Sequence, residues 1–171
     1  MELFSKSWQL ALITLLSTAR FVAAGFGSGW LPKAPGTWGS LASLPLAWLL
    51  IKYTGIEGLV IASLIVLGLG CFVSALVLST LESDDPGWIV IDEWVGQWIS
   101  IAIIVGFYGL SLFTLIAAFL AFRLFDIFKP FPIRQLEHVG PAWWAIMADD
   151  LMAGVMGGAV VVVVIYMIGL I

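Results

Sequence analysis

The sequence contains few of the residues used in covalent and nucleic-acid chemistry. Its 171 residues include one cysteine, one histidine and seven lysines and arginines. A single cysteine excludes an intramolecular disulfide, and Cys71 lies in the apolar run 58–81, where a free cysteine usually packs as a small hydrophobic side chain. The cations form no run and the net charge is −4, so the sequence indicates no basic patch that could bind nucleic acid. We therefore expect no nucleic-acid partner and no phosphocysteine mechanism.

Charged residues are scarce, whereas apolar residues are abundant. Charged side chains make up 11% of the chain and hydrophobic ones 62%, against about 45 to 50% in soluble domains. The mean hydropathy is +1.13, so lipid must solvate much of the surface. At about 20 residues per span, the length allows about five or six helices and no separate soluble domain. We predict an all-α polytopic membrane bundle that forms one domain over residues 1–171, with its chemistry at helix ends and in short loops.

The order of the apolar stretches sets the topology. After a glycine-rich loop they cover residues 40–53, 58–81, 89–128 and 151–171. If residues 99–122 formed one continuous span, the acids on its two sides would lie about 36 Å apart. We favour a tight turn at 106–109 between helices 89–105 and 110–128. With a second turn at 55–58, this hairpin brings every acidic cluster to one face of the membrane.

The basic residues indicate the orientation of that face. Lys33, Arg123, Lys129 and Arg134 fall on the side of the acidic clusters, whereas Lys52 falls on the other side. By the positive-inside rule the acidic side is cytoplasmic. The stretch 40–53 is short for a span and is expected to be tilted or partly re-entrant. The N-terminal run 8–24 lacks a clear cleavage site, so we expect it to stay attached as an interfacial or partly inserted helix.

Most of the acidic residues form short clusters, which is costly at a membrane border unless a cation compensates them. Asp92 and Glu93 are adjacent at the start of an apolar helix, and Asp149 and Asp150 form a second pair before the last span. Hard carboxylate oxygens in this density predict a divalent metal site, suited to Mg²⁺. The alternatives are a favourable helix-dipole position for the first pair and an N-cap for Asp149. Asp84 and Asp85, by contrast, are expected to lie solvated in a turn.

The segment 31–40 is a candidate phosphate cradle. Gly36 and Gly39 let backbone N–H groups converge, Thr37 and Ser40 add hydroxyls, and Lys33 lies nearby. A helix N-terminus directly after such a loop attracts anions. The alternative is a simple Pro/Gly turn in which Ser40 caps the helix.

The segment 123–134 combines an acid with three cations. Arg123, Asp126 and Lys129 are spaced three apart on one helix face, and Pro130 and Pro132 end that helix. The spacing is typical of a structural salt-bridge ladder. It is equally suited to a site in which Asp126 binds metal while Arg123 binds phosphate bidentately. His138, the one histidine, is expected to be solvated.

Four stretches of the sequence stand out together, in this order: GFGSGWLPKAPGTWGSLASLPL, IVIDEWVGQW, FRLFDIFKPFPI and IMADDLMAG. Together they resemble the phosphatidylglycerophosphatase A family over about residues 25–154. The resemblance implies a Mg²⁺-dependent phosphatase that converts phosphatidylglycerophosphate to phosphatidylglycerol at the cytoplasmic face of a bacterial inner membrane. It implies a lipid substrate and no protein partner. The chain departs from the family at 142–145, where Ala-Trp-Trp-Ala replaces glycines.

The resemblance suggests a role for each of the candidate residues. Asp92, Glu93, Asp126, Asp149 and Asp150 would be catalytic and hold one or two Mg²⁺ ions. Lys33, Arg123, Lys129 and the segment 36–40 would bind phosphate oxygens. The attacking oxygen would come from water or from a carboxylate.

Two other functions fit parts of the pattern. Intramembrane acids also mark ion and proton transporters, but a transport path requires carboxylates at mid-membrane depth. A structural subunit that uses only its small-residue segment 154–158 for packing would leave the acidic clusters without a role.

Overall fold

The structure, a computed structural model, describes residues 2–169, with side-chain surroundings from residue 7 onward. Within that range the regular structure is helical. The helices are α1 Glu2–Ala23, α2 Pro35–Leu78, α3 Ile91–Tyr108, α4 Leu112–Phe128, the single-turn α5 Ile133–Leu136 and α6 Ala142–Ile168, with a 3₁₀ turn at Ser28–Trp30. The predicted all-α class and helix number are confirmed.

Helix α2 is two antiparallel halves joined at a break. Gly55 has φ +75° and ψ −174°, outside the helical region. A Cβ on Gly39 would meet Val90, and one on Gly70 would meet the neighbouring Ile91. In one straight helix these two glycines would lie about 46 Å apart. The chain must therefore reverse between them, which confirms the predicted turn near residues 55–58.

The first half of α2 begins earlier than expected. It starts at Pro35 with Ala34 as its N-cap, whereas the apolar stretch begins at residue 40. Ser40 is therefore in the second turn, and the N-cap interpretation of Ser40 is wrong. From Pro35 to the break at Gly55 the helix is about 30 Å long, enough for a full crossing.

The predicted hairpin between α3 and α4 is confirmed, and the turn lies slightly later than expected. Gly109 ends α3 with φ +76°, a conformation that favours glycine. Ser111 caps α4 in a reciprocal capping box with Thr114, whose hydroxyl also donates to the carbonyl of Gly109 at 3.0 Å. A continuous span over residues 99–122 is excluded.

Helix α3 lies at the centre of the bundle and packs against α2, α4 and α6. Its closest approach is to α6, where a Cβ on Gly154 would overlap the backbone of Gly96. A Cβ on Gly157 would lie 3.1 Å from the Ala121 backbone of α4. Small residues thus let three helices pack backbone to backbone, and the segment 154–158 serves packing inside the chain.

The last helix also starts earlier than predicted. Pro141 is its N-cap and α6 begins at Ala142, about two turns before Asp149. The acidic pair therefore does not begin the helix, and the alternative of Asp149 as N-cap is wrong. The expected loop over residues 129–148 instead contains α5 and the first turns of α6. Residues 142–148 are all apolar, and Ala145, Ile146 and Met147 are buried, so the helix extends upstream of the two acids.

Much of the outer surface is apolar. Leu64 and Leu120 are each 60% exposed, and so is Ile168. Within the described residues, α2 and α6 are long and apolar enough to cross a membrane. These features are consistent with a membrane protein.

Candidate active site

Three carboxylates meet where α3 begins. Asp92 and Glu93 lie in the first turn of α3, and Asp150 reaches them from α6. One oxygen from each of the three lies within 4.8 Å of the other two. Asp92 and Asp150 are 8% and 4% exposed. Buried carboxylates this close repel one another unless a cation or proton compensates them.

All five predicted carboxylates line one cleft. Asp126, from the last turn of α4, and Asp149 join the other three around a polar space of about 90 Å³. Asp85 also lines it while remaining exposed in the loop before α3, as predicted for a solvated turn. The loop before α3 has no hydrophobic pattern that could have revealed this position.

The composition of the cleft fits a divalent cation. Among the described residues, six carboxylates and one lysine line it. In addition, Glu93 Oε2 is buried without a hydrogen-bond partner. Buried carboxylate oxygens without partners are costly, and Mg²⁺ takes oxygen ligands of this type. The residues present therefore suit the ion that the family resemblance implies.

Arg123 lies beside the acidic cluster. Its Nη1 is 2.8 Å from Asp126 Oδ2 and 3.9 Å from Glu93 Oε1. The same nitrogen donates to Ser40 Oγ at 3.4 Å, while its buried Nε has no partner. A guanidinium with an unused donor beside an acidic cleft can bind an anionic substrate group.

Lys129 does not extend the Arg123–Asp126 pair into a ladder. It caps the C-terminus of α4 in the left-handed conformation, φ 42°, which directs it away from that row. Its ammonium group instead lies 2.7 Å from Asp149 Oδ2 and binds Glu137. Burial alone lowers the pKa of Lys129, but these hydrogen bonds outweigh it and raise the pKa above its ordinary value. Lys129 therefore stays charged, and Glu137 is a contact that no sequence signal indicated.

The first turns of α2 lie against this cluster. A Cβ on Gly36 would overlap Glu93 Oε1 and lie 3.1 Å from Arg123 Nη1, so any larger residue here would displace these two side chains. The Ser40 hydroxyl donates to the Gly36 carbonyl at 2.9 Å and accepts from Arg123. In this structure Ser40 therefore orients Arg123.

The residues of the predicted cradle, including Gly36 and Ser40, lie outside the cleft lining. Gly39 packs against Val90, Lys33 is exposed and Thr37 is half-buried. His138 is exposed, as expected. Trp143 and Trp144 are half-buried in the first turn of α6.

Fold and site together define a class of protein. It is an all-helical protein that brings a cluster of carboxylates and an arginine together at one end of an apolar bundle, an arrangement suited to phosphate-ester chemistry. Comparison with known proteins gives the family. The family model described as phosphatidylglycerophosphatase A matches residues 21–165. The chain belongs to this family and is a phosphatase, as the sequence motifs predicted.

Individual relatives support the assignment. The phosphatidylglycerophosphatase A of Haemophilus influenzae is 39% identical, with 92% of this chain and 94% of the relative covered. That of Escherichia coli is 32% identical, over 86% and 81%. A Bacteroides thetaiotaomicron protein named "Putative phosphatidylinositol-3-phosphatase" is 33% identical, over 86% and 94%. No solved structure matches the chain significantly.

Proposed function

We propose that the protein hydrolyses phosphatidylglycerophosphate to phosphatidylglycerol and inorganic phosphate in a Mg²⁺-dependent reaction of phospholipid biosynthesis. The observation that carries this proposal is the convergence of Asp92, Glu93 and Asp150 within 4.8 Å, beside Arg123. Family membership supplies the substrate class. Two of the named relatives carry the activity in their names.

In the proposed site Asp92, Glu93 and Asp150 would hold the metal, with Asp126 and Asp149 in the same cleft. Mg²⁺, when bound, would supply positive charge against the phosphate and lower the pKa of water. The buried, unpartnered Glu93 Oε2 is the oxygen that gains most from a ligand. Hydrolysis of a phosphate monoester is among the slowest uncatalysed reactions, so charge neutralisation and orientation must both be large.

The remaining chemistry comes from side chains already in position. Arg123 binds phosphate oxygens through its guanidinium edge, held in place by Asp126 and Ser40. Lys129 keeps its charge and fixes Asp149. A cleft carboxylate accepts a proton from the attacking water as the phosphorus–oxygen bond to the lipid breaks, and the proton passes to the departing glycerol oxygen, giving the lipid alcohol and inorganic phosphate. The N-terminus of α2, brought close by Gly36, adds positive potential on the same side.

We further propose that the protein is a multi-pass bacterial inner-membrane protein with the cleft facing the cytoplasm. A lipid substrate requires access from the bilayer, and the apolar helices α2 and α6 provide the membrane-crossing segments. Arg123, Lys129 and Arg134 lie at the cleft end, whereas Lys52 lies beside the break at Gly55. This distribution follows the positive-inside rule.

The transporter alternative is not favoured. Residues 94–122 and 151–169 contain no aspartate, glutamate, lysine, arginine or histidine. A proton or ion path requires such groups along the membrane interior. Here the carboxylates share one cleft at the helix ends.

Phosphate release by the detergent-purified protein tests the proposal. We expect release from phosphatidylglycerophosphate with Mg²⁺ and none with excess EDTA. Phosphatidic acid and phosphatidylinositol 3-phosphate serve as comparison lipids, the second because of the name of the Bacteroides relative. Asp92→Asn should abolish turnover, whereas Glu82→Gln, an exposed acid outside the cleft, should not. Absence of release from folded protein, or full activity in EDTA, would contradict the proposal.

A further inference from the structure

An apolar groove lies between the first half of α2 and α4. On α2 it is lined by Leu41, Leu44 and Trp48, and on α4 by Leu112, Leu115 and Ile116. The spacing on each helix places these residues on one face. The groove encloses about 340 Å³, within the range of about 300 to 1,000 Å³ usual for ligand pockets.

The fold itself holds the two walls apart. Helices α2 and α4 both pack against α3 and hardly contact each other. Trp98 Nε1 of α3 donates to the Ser43 carbonyl of α2 at 3.1 Å. Ser100 Oγ of α3 donates to the Ala118 carbonyl of α4 at 3.3 Å. These buried bonds fix each wall to α3, so the gap is not closed by a simple shift of one helix.

Both walls lead to the catalytic cleft. Leu41 directly follows Ser40, whose Oγ accepts a hydrogen bond from Arg123 of α4. On the other wall Arg123 lies two turns beyond Ile116. A phosphate group held by Arg123 would therefore place the attached glycerol at the mouth of the groove. Along α2 the lining from Leu41 to Trp48 extends about 10 Å, and along α4 it lies about 10 to 16 Å from Arg123, so the groove continues from the cleft end towards the hairpin end of the bundle.

We propose that this groove holds one acyl chain of the lipid substrate, with Leu44 and Leu115 as its chain-contacting residues. The inference rests on the proposed function and adds a binding site to it. Bilayer chains can enter any apolar gap, so apolarity alone gives no selectivity. What selects the substrate is the connection between a tail in the groove and a phosphate at Arg123, which fixes the ester relative to the carboxylates.

Narrowing the groove should penalise long chains selectively. Leu115→Trp places a larger ring in the gap, while Leu120→Trp changes the same residue type on the same helix at an exposed position. We compare kcat/KM for long-chain phosphatidylglycerophosphate with that for its deacylated, water-soluble headgroup. Leu115→Trp should lower the long-chain value about tenfold more than the headgroup value. Leu120→Trp should change neither.

The outcomes separate this inference from the proposed function. If the wild-type protein releases phosphate but Leu115→Trp and Leu120→Trp behave alike, the groove proposal is wrong and the activity stands. Equal loss on both substrates would also overturn it, since it would show a general effect on the site. Wild-type protein that hydrolyses neither substrate would contradict the proposed function itself.

A second measurement does not depend on turnover. A phosphatidylglycerophosphate analogue with a photoreactive group in one acyl chain should label the peptides that contain Leu44 and Leu115, and unlabelled substrate should reduce the labelling. Labelling elsewhere on the apolar surface, unaffected by competitor, would overturn the proposal. A protein–protein cross-link from a photoreactive residue at position 115 would assign the groove to a second copy instead.

Discussion

Arg123 is the residue whose surroundings most restrict the chemistry. Its guanidinium contacts Asp126 and Ser40 and lies near Glu93, yet Nε remains without a partner in a buried position. A purely structural arginine in such a cleft would be expected to use all its donors, because a buried unsatisfied donor is costly. The unused donor therefore leaves Arg123 with capacity for a further acceptor, such as a substrate oxygen.

Replacement of Arg123 by lysine should show whether activity requires only its positive charge or also its planar guanidinium. Arg123→Lys keeps the positive charge and loses the planar fork that binds two phosphate oxygens. We expect kcat/KM to fall by about a hundredfold. The matched control is Arg134→Lys on the exposed surface of α5, which should retain activity. Wild-type activity in Arg123→Lys would mean that Arg123 does not bind phosphate through two nitrogens.

Removal of one acid from the cluster should raise the stability of the metal-free protein and lower its activity. Asp150→Asn removes one buried charge from the group formed with Asp92 and Glu93, so it relieves repulsion when no metal is bound. In EDTA we expect Tm to rise by about 2 to 4 °C for each 1 kcal/mol of repulsion removed. Activity should fall by about a hundredfold or more, because a proposed ligand is lost.

Thermal unfolding with and without Mg²⁺ checks this trade-off. Mg²⁺ should stabilise the wild-type protein by mass action and stabilise Asp150→Asn less. A variant that is less stable than wild type in EDTA would show that Asp150 has a structural role that outweighs its repulsion.

Among the elements, α6 is the one that assembles the site. Gly154 rests on the backbone of Gly96 in α3, and one turn earlier α6 carries Asp150 to the carboxylates of α3. The distance between these acids therefore depends on how closely two helix backbones approach. The contact that packs α6 against α3 therefore also sets the geometry of the proposed catalytic carboxylates.

A methyl group at the contact between α3 and α6 should impair both stability and activity. Gly154→Ala forces α3 and α6 apart or strains them, at an expected cost of about 1 to 3 kcal/mol, and should lower kcat as Asp150 moves from Asp92. The control is Gly68→Ala in α2, where an added Cβ meets nothing within 4 Å and helix propensity favours alanine. Unchanged Tm and kcat in Gly154→Ala would contradict the close approach.

The elements also show how far sequence reasoning could reach. Glycines 55 and 109 indicated both reversals, since the backbone leaves the helical region at each. The helix start at Pro35 was missed because residues 35–39 lack an apolar pattern, and the start at Ala142 because the acidic pair suggests a boundary although residues 142–148 are all apolar. The carboxylates were identifiable by their cost in an apolar chain, whereas Glu137 and Asp85 lie in polar segments where an acid is ordinary. The groove between α2 and α4 depends on a gap between helices, which hydrophobic periodicity does not specify.

For the whole molecule, the fold places its chemistry at one end. The first turns of α2 and α3, the last turn of α4 and the early turns of α6 all meet at the cleft, while the break at Gly55 and the hairpin at Gly109 lie at the opposite ends of their helices. In a membrane this arrangement exposes the cleft to one compartment only. The positions of the two ends relative to the bilayer are therefore the decisive property of the molecule as a whole.

Cysteine labelling in intact bacterial cells tests that property. Phe107 is 71% exposed beside the hairpin, and Gln135 is exposed on the cleft side. Each is changed to cysteine in a Cys71→Ala background. We expect a membrane-impermeant thiol reagent to label Phe107→Cys in intact cells and Gln135→Cys only after the membrane is opened. Phe107 is a better reporter than Tyr108, whose hydroxyl donates to the Val162 carbonyl at 2.8 Å. Labelling of both positions in intact cells would contradict a hairpin that crosses the membrane, and reversed labelling would place the cleft, and with it phosphate release, on the outer side.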